Sequence, residues 1–355
     1  MGEGVQRVVN IETASIGGKK SAILLLAHGT PDVLGEMAEY LSKVTGGRPL
    51  PQEVVEELQH RYAQIGLRET PGIEAPPLTK WTMIQGHLLG KALGGEQVYV
   101  GMRNWHPYIA DVIDEMRRDD VTHFKAVCLA PQNSRTSVGL YRRAVLAAAG
   151  GMEVEFVAGW AENPTLTAAF AEKLRPVWRK ACAESGRRVP VLFTAHSVPC
   201  RTIMTGEASV AGTRPGTPMQ ISPDPYPVEA KRTAQMVAER MAAVGFGEQD
   251  WYFAFQSQGM SGGPWIGPTV EESLKAIRDE GHAGVVIQPV GFLCDHVEIL
   301  YDIDIAFRKF ADELGLKLWR AESLNDSELL VKALAEVVSG EYKATGDEIT
   351  VPAGV

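Results

Sequence analysis

Two histidines of this chain each close an apolar run with the same punctuation. Ala22 to Leu26 runs into Ala27-His28-Gly29-Thr30-Pro31, and Val189 to Thr194 runs into Ala195-His196-Ser197-Val198-Pro199. An imidazole titrates near neutrality and can accept a proton or ligate a metal. A third segment, Gly291-Phe292-Leu293-Cys294-Asp295-His296-Val297-Glu298-Ile299-Leu300-Tyr301-Asp302, adds carboxylates. Glu298 and Asp302 stand one helical turn apart, so both lie on one face. Paired carboxylates with a nearby imidazole suit proton transfer or a transient divalent cation. The same residues also suit a capped helix with a solvated acidic face, because Asp295 and Glu298 favour a helix N-terminus.

Other segments offer binding chemistry. Arg103 stands at the tip of a run ending in Gly101, where its fork of donors suits a carboxylate or phosphate, or a structural ion pair. Ser134, Arg135, Thr136 and Ser137 follow another apolar run and could hold anionic substituents or cap the next helix. Trp265 lies among Gly and Pro in 256–268, as an aromatic wall over a flat ligand or as a plug beneath its own loop.

These residues need a scaffold that brings distant segments together. Apolar runs predict strands at 22–27, 97–101, 124–130, 153–159, 189–195, 251–255, 284–290 and 316–319. Amphipathic stretches predict helices at 33–44, 51–65, 78–93, 106–118, 136–148, 165–185, 226–244, 269–280, 296–312 and 326–340. The alternation implies α/β architecture: two doubly wound, Rossmann-like domains, each with a four-stranded parallel sheet and a cleft between them. The expected boundaries are 21–160 and 161–325, with the helix 326–340 returning to the first domain and flexible tails at 1–20 and 341–355. The stretch 201–225, rich in Gly, Thr, Ser and Pro, is expected as a long loop or lid. Open sheets of this type bind ligands at strand carboxyl ends, where His28 and His196 fall. The repeated punctuation suggests a duplicated domain.

Composition removes several classes of function. A chain of 355 residues with net charge −9 is no general binder of nucleic acid or anionic membranes. Cys128, Cys182, Cys200 and Cys294 are far apart, which reads as reduced thiols and offers neither a zinc ribbon nor an iron–sulfur motif. No apolar run approaches a membrane span, and Met1 to Gly18 has no signal-peptide core, so a cytoplasmic protein is expected. A P-loop, a placed GxGxxG, a GxSxG elbow and HExxH are all absent.

Taken together, the segments resemble ferrochelatases, which insert ferrous iron into a porphyrin. Thr194-Ala195-His196-Ser197-Val198-Pro199 is similar to the family's S-A-H-S-L-P, and 291–302 to its G-F-x-x-D-H-x-E-x-L-Y-D. Residues 256–268 resemble Q-S-x-G…W-L-G-P, and Asp224-Pro225-Tyr226-Pro227 matches D-P-Y-P. The resemblance runs in order from about residue 21 to 340. It implies a porphyrin in the interdomain cleft, with His196 and Glu298 facing the ring centre for metal delivery and removal of pyrrole protons. Asp302 would be a further, outer metal ligand. His28 occupies the place of a Tyr in the A-Y-G-T-P of bacterial relatives, where that Tyr can ligate iron from the opposite face. The resemblance therefore implies His28 as an opposite-face ligand and a substrate contact.

The segment 32–66 is similar to soluble bacterial enzymes that use coproporphyrin III and lacks the longer apolar lip of relatives that use protoporphyrin IX. Four propionates would engage Arg48, Arg103, Ser134, Arg135, Thr136 and Ser137, with Trp265 against the ring. The chain departs from the family pattern in the insertion 201–221 and in Ala306, where many bacterial relatives carry a third acid. The C-terminal cysteines that hold a [2Fe–2S] cluster in some members are missing, so no tightly bound cofactor is expected and Fe2+ is substrate. A monomer with transient contacts to neighbouring haem-pathway enzymes is expected. The alternatives are a non-catalytic porphyrin or haem carrier and a cobalt or nickel chelatase of the same superfamily.

Overall fold

The computed structural model describes residues 20–203, 224–259, 263–343 and 349–351, the last as backbone only. Much of the long loop 201–225 and most of both tails lie outside the described residues. All eight anticipated strands form. In the first half, β1 (Lys20–Ala27), β2 (Val98–Met102), β3 (Val121–Cys128) and β4 (Glu153–Val157) pair in parallel in the order β2-β1-β3-β4. In the second, β5 (Val191–His196), β6 (Trp251–Gln256), β7 (Gly284–Pro289) and β8 (Lys317–Arg320) pair in parallel as β6-β5-β7-β8. The two orders are the same, strand for strand. Both place the first strand of the half between the second and third, so the chain departs in opposite directions beside its carboxyl end. Such a switch point opens a crevice there. His28 follows β1 directly and His196 ends β5, so each imidazole stands at the switch point of its own sheet.

One departure is an added strand. Residues 349–351, expected within a polar tail, form β9 (Ile349–Val351), which pairs antiparallel with the edge strand β4. Three residues are too short for a readable alternation, and pairing covers an otherwise open sheet edge.

The strands are buried on both faces, hence their continuous apolar runs: Leu24, Leu25, Leu26, Phe193, Val285 and Val286 are all fully buried. A single apolar core joins the halves, running from Leu25, Val100 and Trp160 to Phe193, Phe255 and Val286. The helix Pro164–Ser185 contributes Leu166, Phe170 and Leu174 to it. That helix begins where Asn163 Oδ1 accepts the backbone N–H of Thr165 and Leu166 at 2.7 and 2.9 Å. It ends at Gly186, whose φ of +64° is accessible to glycine at little cost. The helix Glu328–Ser339 contacts both expected halves: Lys125 Nζ donates to its Val338 carbonyl at 3.0 Å, and its Glu336 accepts from Asn163 and Thr165.

The helix anticipated over 296–312 is present but not uniform. An α-turn at Val297–Leu300 leads into a π-helical segment, Asp302–Phe307, and then an α-helix, Arg308–Glu313. The buried residues are Ile299, Ile303, Phe307 and Ala311, a strict spacing of four. A 3.6-residue helix would rotate that stripe progressively off the core, and the wider π turn takes up the drift. The line one residue earlier, Glu298, Asp302 and Ala306, is held in register by the same device.

Candidate active site

Between the halves lies a cleft of about 760 Å3, walled by His28, Thr30, Tyr40, Tyr62 and Arg103 from one side and His196, Trp265 and 291–298 from the other. Two independent loops build its reactive wall. β5 delivers His196, whose Nδ1 donates to the Ser197 carbonyl, so that Nε2 points away from the backbone. The Tyr226 hydroxyl donates to the His196 carbonyl at 2.7 Å. β7 delivers the second loop, pinned to β5 because the N–H groups of Val290 and Gly291 donate to the Thr194 carbonyl at 2.8 and 3.3 Å. Gly291 is required by contact: a Cβ there would sit 2.9 Å from both Cα and Cβ of Ala195. Asp295 locks the loop further, accepting from Ser323 Oγ at 2.7 Å and Asn325 Nδ2 at 3.0 Å while its N–H donates to Asn325 Oδ1 at 2.9 Å.

The outcome is a carboxylate between two imidazoles. Glu298 Oε1 lies 3.1 Å from His196 Nε2, and Oε2 lies 3.2 Å from His296 Nε2. His296 Nδ1 donates to the Cys294 carbonyl at 2.9 Å, which fixes Nε2 toward Glu298. Burial raises the cost of a charge on Glu298, yet the two imidazoles outweigh it and hold its carboxyl well below the usual range. Burial likewise opposes a charged His196, but the Glu298 carboxylate prevails and brings it up to about 9. The same balance raises His296. Among the described residues no three His, Cys, Asp or Glu donors form a closed metal cage.

Asp302 lies behind this wall. Burial pushes its carboxyl up to about 6, against a hydrogen bond from Ser257 Oγ at 2.5 Å. Arg61 Nη1 stands 4.0 Å from Asp302 Oδ1, and its Cζ lies 5.2 Å from the centre of the Tyr301 ring. Across the cleft His28 is neutral, drawn down to about 4 by burial and the nearby Arg103 charge. Glu298 and His196 are near enough for their charges to act on it. Its Nε2 is 2.9 Å from Asn104 Nδ2, and its Nδ1 is 3.2 Å from both Tyr40 Oη and the Gly29 carbonyl.

Such a cleft can hold a flat macrocycle against a metal-attracting wall. The family model for Ferrochelatase matches residues 20–342. The chain belongs to the ferrochelatase family. It is an enzyme that inserts iron into a porphyrin. The ferrochelatase of Acidobacterium capsulatum is 57% identical over 338 residues, covering 94% of this chain and 99% of that protein. That of Herpetosiphon aurantiacus is 36% identical, covering 91% and 99%. The coproporphyrin III ferrochelatase of Geobacillus thermodenitrificans is 31% identical, covering 93% and 98%. The sirohydrochlorin chelatase SirB of Bacillus subtilis aligns over 90% of this chain and 94% of its own at 12% identity and TM-score 0.46, too distant to add to the assignment.

Within this ferrochelatase the anticipated site residues divide. His28, His196, Glu298, Arg103, Ser134, Thr136, Ser137 and Trp265 all line the cleft. Trp265 lines the cleft and also packs against its own loop, where a Cβ on Gly259 would stand 2.7 Å from its ring. Arg48 is not brought there: it is exposed on the turn after Met37–Val44, and its Nε donates to the Thr45 carbonyl at 3.4 Å. Arg135 is also turned outward, beside a separate small pocket, while its backbone N–H donates to Asp224 at 3.0 Å. With the Asn133 N–H donating to Glu229 at 2.7 Å, this contact ties the hydroxyl-bearing loop to the second half. Which member of the run Ser134-Arg135-Thr136-Ser137 turns away from the cleft is set by these tertiary contacts of the loop, which the run itself could not reveal.

Sequence reasoning assigns the cleft residues Arg68 and Lys80 no role. His296 reads there only as a nearby imidazole, although its spacing of two from Glu298 is the available signal. Arg68 and Lys80 line the cleft from the Pro- and Gly-rich stretch 67–77 and the helix after it. Nothing in their spacing marks them.

Proposed function

We propose that the porphyrin is coproporphyrin III, that Glu298 and His196 carry the insertion chemistry, and that the enzyme works in the cytoplasm as a monomer without an iron–sulfur cluster. The observation that carries the chemical part is the Glu298 carboxylate held between two imidazoles on the cleft wall. Insertion must strip water from a cation and remove two pyrrole protons. A carboxylate kept ionised by its neighbours offers oxygens to the cation, and the His196 imidazole beside it becomes a site for a pyrrole proton once its own proton has left. Entry of positive charge beside Glu298 weakens its hold on the His196 proton, so cation arrival and proton departure are coupled through one carboxylate. His296 orients Glu298 and shares its charge.

The substrate assignment is supported by the coproporphyrin III relatives and by the donors around the cleft. Arg103 and the hydroxyls of Ser134, Thr136 and Ser137 flank the end of β1, while Arg68 and Lys80 come from another segment. Carboxylates reaching out from several sides of a ring would find donors in both places. Anaerobic iron insertion with coproporphyrin III and protoporphyrin IX, followed by loss of free-porphyrin absorbance, tests the assignment. Higher kcat/KM for coproporphyrin III is expected; a preference for protoporphyrin IX overturns it. Loss of the bands over many turnovers, as opposed to one stoichiometric shift, also separates an enzyme from a carrier.

A further inference from the structure

The cleft wall opposite Glu298 carries a feature that the insertion chemistry does not use. His28 stands in the cleft with both ring nitrogens engaged by the protein. The Gly29 carbonyl, 3.2 Å from Nδ1, can only accept, so the imidazole proton sits on Nδ1. Nε2 is then a bare lone pair, and the Asn104 side-chain amide donates to it at 2.9 Å. The Tyr40 hydroxyl, also beside Nδ1, packs its ring edge-on to the imidazole with centroids 6.1 Å apart.

The two segments are laced together by backbone as well. Arg103 N–H donates to the Ala27 carbonyl and Asn104 N–H to the His28 carbonyl, each at 3.0 Å. Gly29, at φ +88°, allows the approach, since a Cβ would stand 2.8 Å from the Trp105 nitrogen. Asn104 itself is 2% exposed. Its amide is therefore a fixed donor, aimed at the one atom of His28 able to bind a metal.

We propose that Asn104 is a positioning residue that regulates axial ligation of the iron product by His28. The proposal rests on the reading of the cleft as the porphyrin site. A bare imidazole nitrogen beside a metalloporphyrin is a strong axial ligand, and a product held that way leaves slowly. Asn104 competes with the iron for the same lone pair. When His28 turns to the metal, a buried amide N–H loses its partner, which opposes ligation. When His28 returns, the product is freed. The balance favours release over capture, as turnover demands.

Dissociation of added ferric coprohaem to an excess haem acceptor, with absorbance spectra of the bound form, tests the proposal in intact protein. Asn104→Ala frees Nε2 and is expected to slow dissociation about 10- to 100-fold, the range of one lost charge-free hydrogen bond with its desolvated donor. Its bound spectrum shifts toward imidazole ligation. Asn104→Ala with His28→Ala restores fast release, which a merely structural loss would not do. Asn104→Asp should behave oppositely to Ala. A carboxylate only accepts, so it favours a hydrogen on Nε2 and gives the bound spectrum of His28→Ala; this variant carries the test if the Ala variant does not fold. Wild-type release and spectrum in Asn104→Ala, slow release that persists in the double variant, or imidazole ligation retained in Asn104→Asp each overturn it. If the wild type binds protohaem and not coprohaem, the substrate reading fails and the same variants are compared with protohaem.

Discussion

Glu298→Gln isolates the charge of the central carboxylate. Glutamine keeps the shape and can still hydrogen-bond one imidazole, but it no longer favours a proton on His196. Burial is the largest single influence on His196 and depresses it; Glu298 at 3.1 Å is what lifts it to about 9. Without the charge, His196 should titrate below its ordinary 6.5. The span from 6.5 to about 9 is nominally about 3.4 kcal/mol at 1.36 kcal/mol per pH unit. Solvent screening at an imidazole whose side chain is 34% exposed reduces this to about 1–2 kcal/mol.

Linkage sets the sign. His196 is raised in the folded state, so its stabilisation is complete below pH 6.5 and is lost as pH rises through about 9. Glu298 is depressed, so its share is present above 4.5 and lost as pH falls through its lower folded value. The charge-dependent part of the deficit in Glu298→Gln should therefore be greatest between about pH 4.5 and 6.5 and vanish above about 9. Denaturant unfolding across pH gives the deficit, and the His196 ring resonances give the titration. A wild-type His196 that titrates near 6.5 and is unmoved by the substitution refutes the reasoning. The same variant should insert iron about 10²–10⁴-fold more slowly, the usual span for a positioned acid–base group.

Three further substitutions probe the scaffold. Gly291→Ala forces a Cβ to within 2.9 Å of Ala195 and should cost about 1–3 kcal/mol by denaturant unfolding while displacing His196 enough to lower kcat. Asn325→Ala removes both hydrogen bonds to Asp295 and places alanine at φ +46°, so about 2–4 kcal/mol of stability should be lost together with iron-insertion activity. Arg103→Leu should weaken porphyrin binding about 10- to 100-fold, as measured by fluorescence quenching, with kcat changed far less; an unchanged Kd rejects its propionate role.

The sheets were legible because parallel strands buried on both faces read as apolar runs, and several of those runs ended in Gly or Pro, as at Gly101, Pro131 and Gly291. His28 and His196 were legible for the same reason, since strand ends at switch points are where such folds expose side chains. The pairing of Glu298 with His196 was not visible as geometry in either segment; it arises because Gly291 lets the β7 loop close on Ala195. The π turn left no local signal beyond the four-residue spacing of Ile299, Ile303 and Phe307. Arg48 and Arg135 were misplaced because a cationic loop residue turns to solvent or cleft according to tertiary contacts. Arg68 was overlooked because its segment showed only turn formers, and Lys80 because a lysine on an amphipathic helix reads as part of a solvated face.

The most direct measurement is the rate of iron insertion into coproporphyrin III already bound to His196→Ala, followed anaerobically by absorbance in a single turnover. Prior binding removes porphyrin affinity from the result and leaves the metal and proton steps. The pairing of His196 with Glu298 on the cleft wall predicts a normal bound-porphyrin spectrum and insertion slower by about 10²–10⁴-fold. Insertion within a few-fold of the wild-type rate would contradict it.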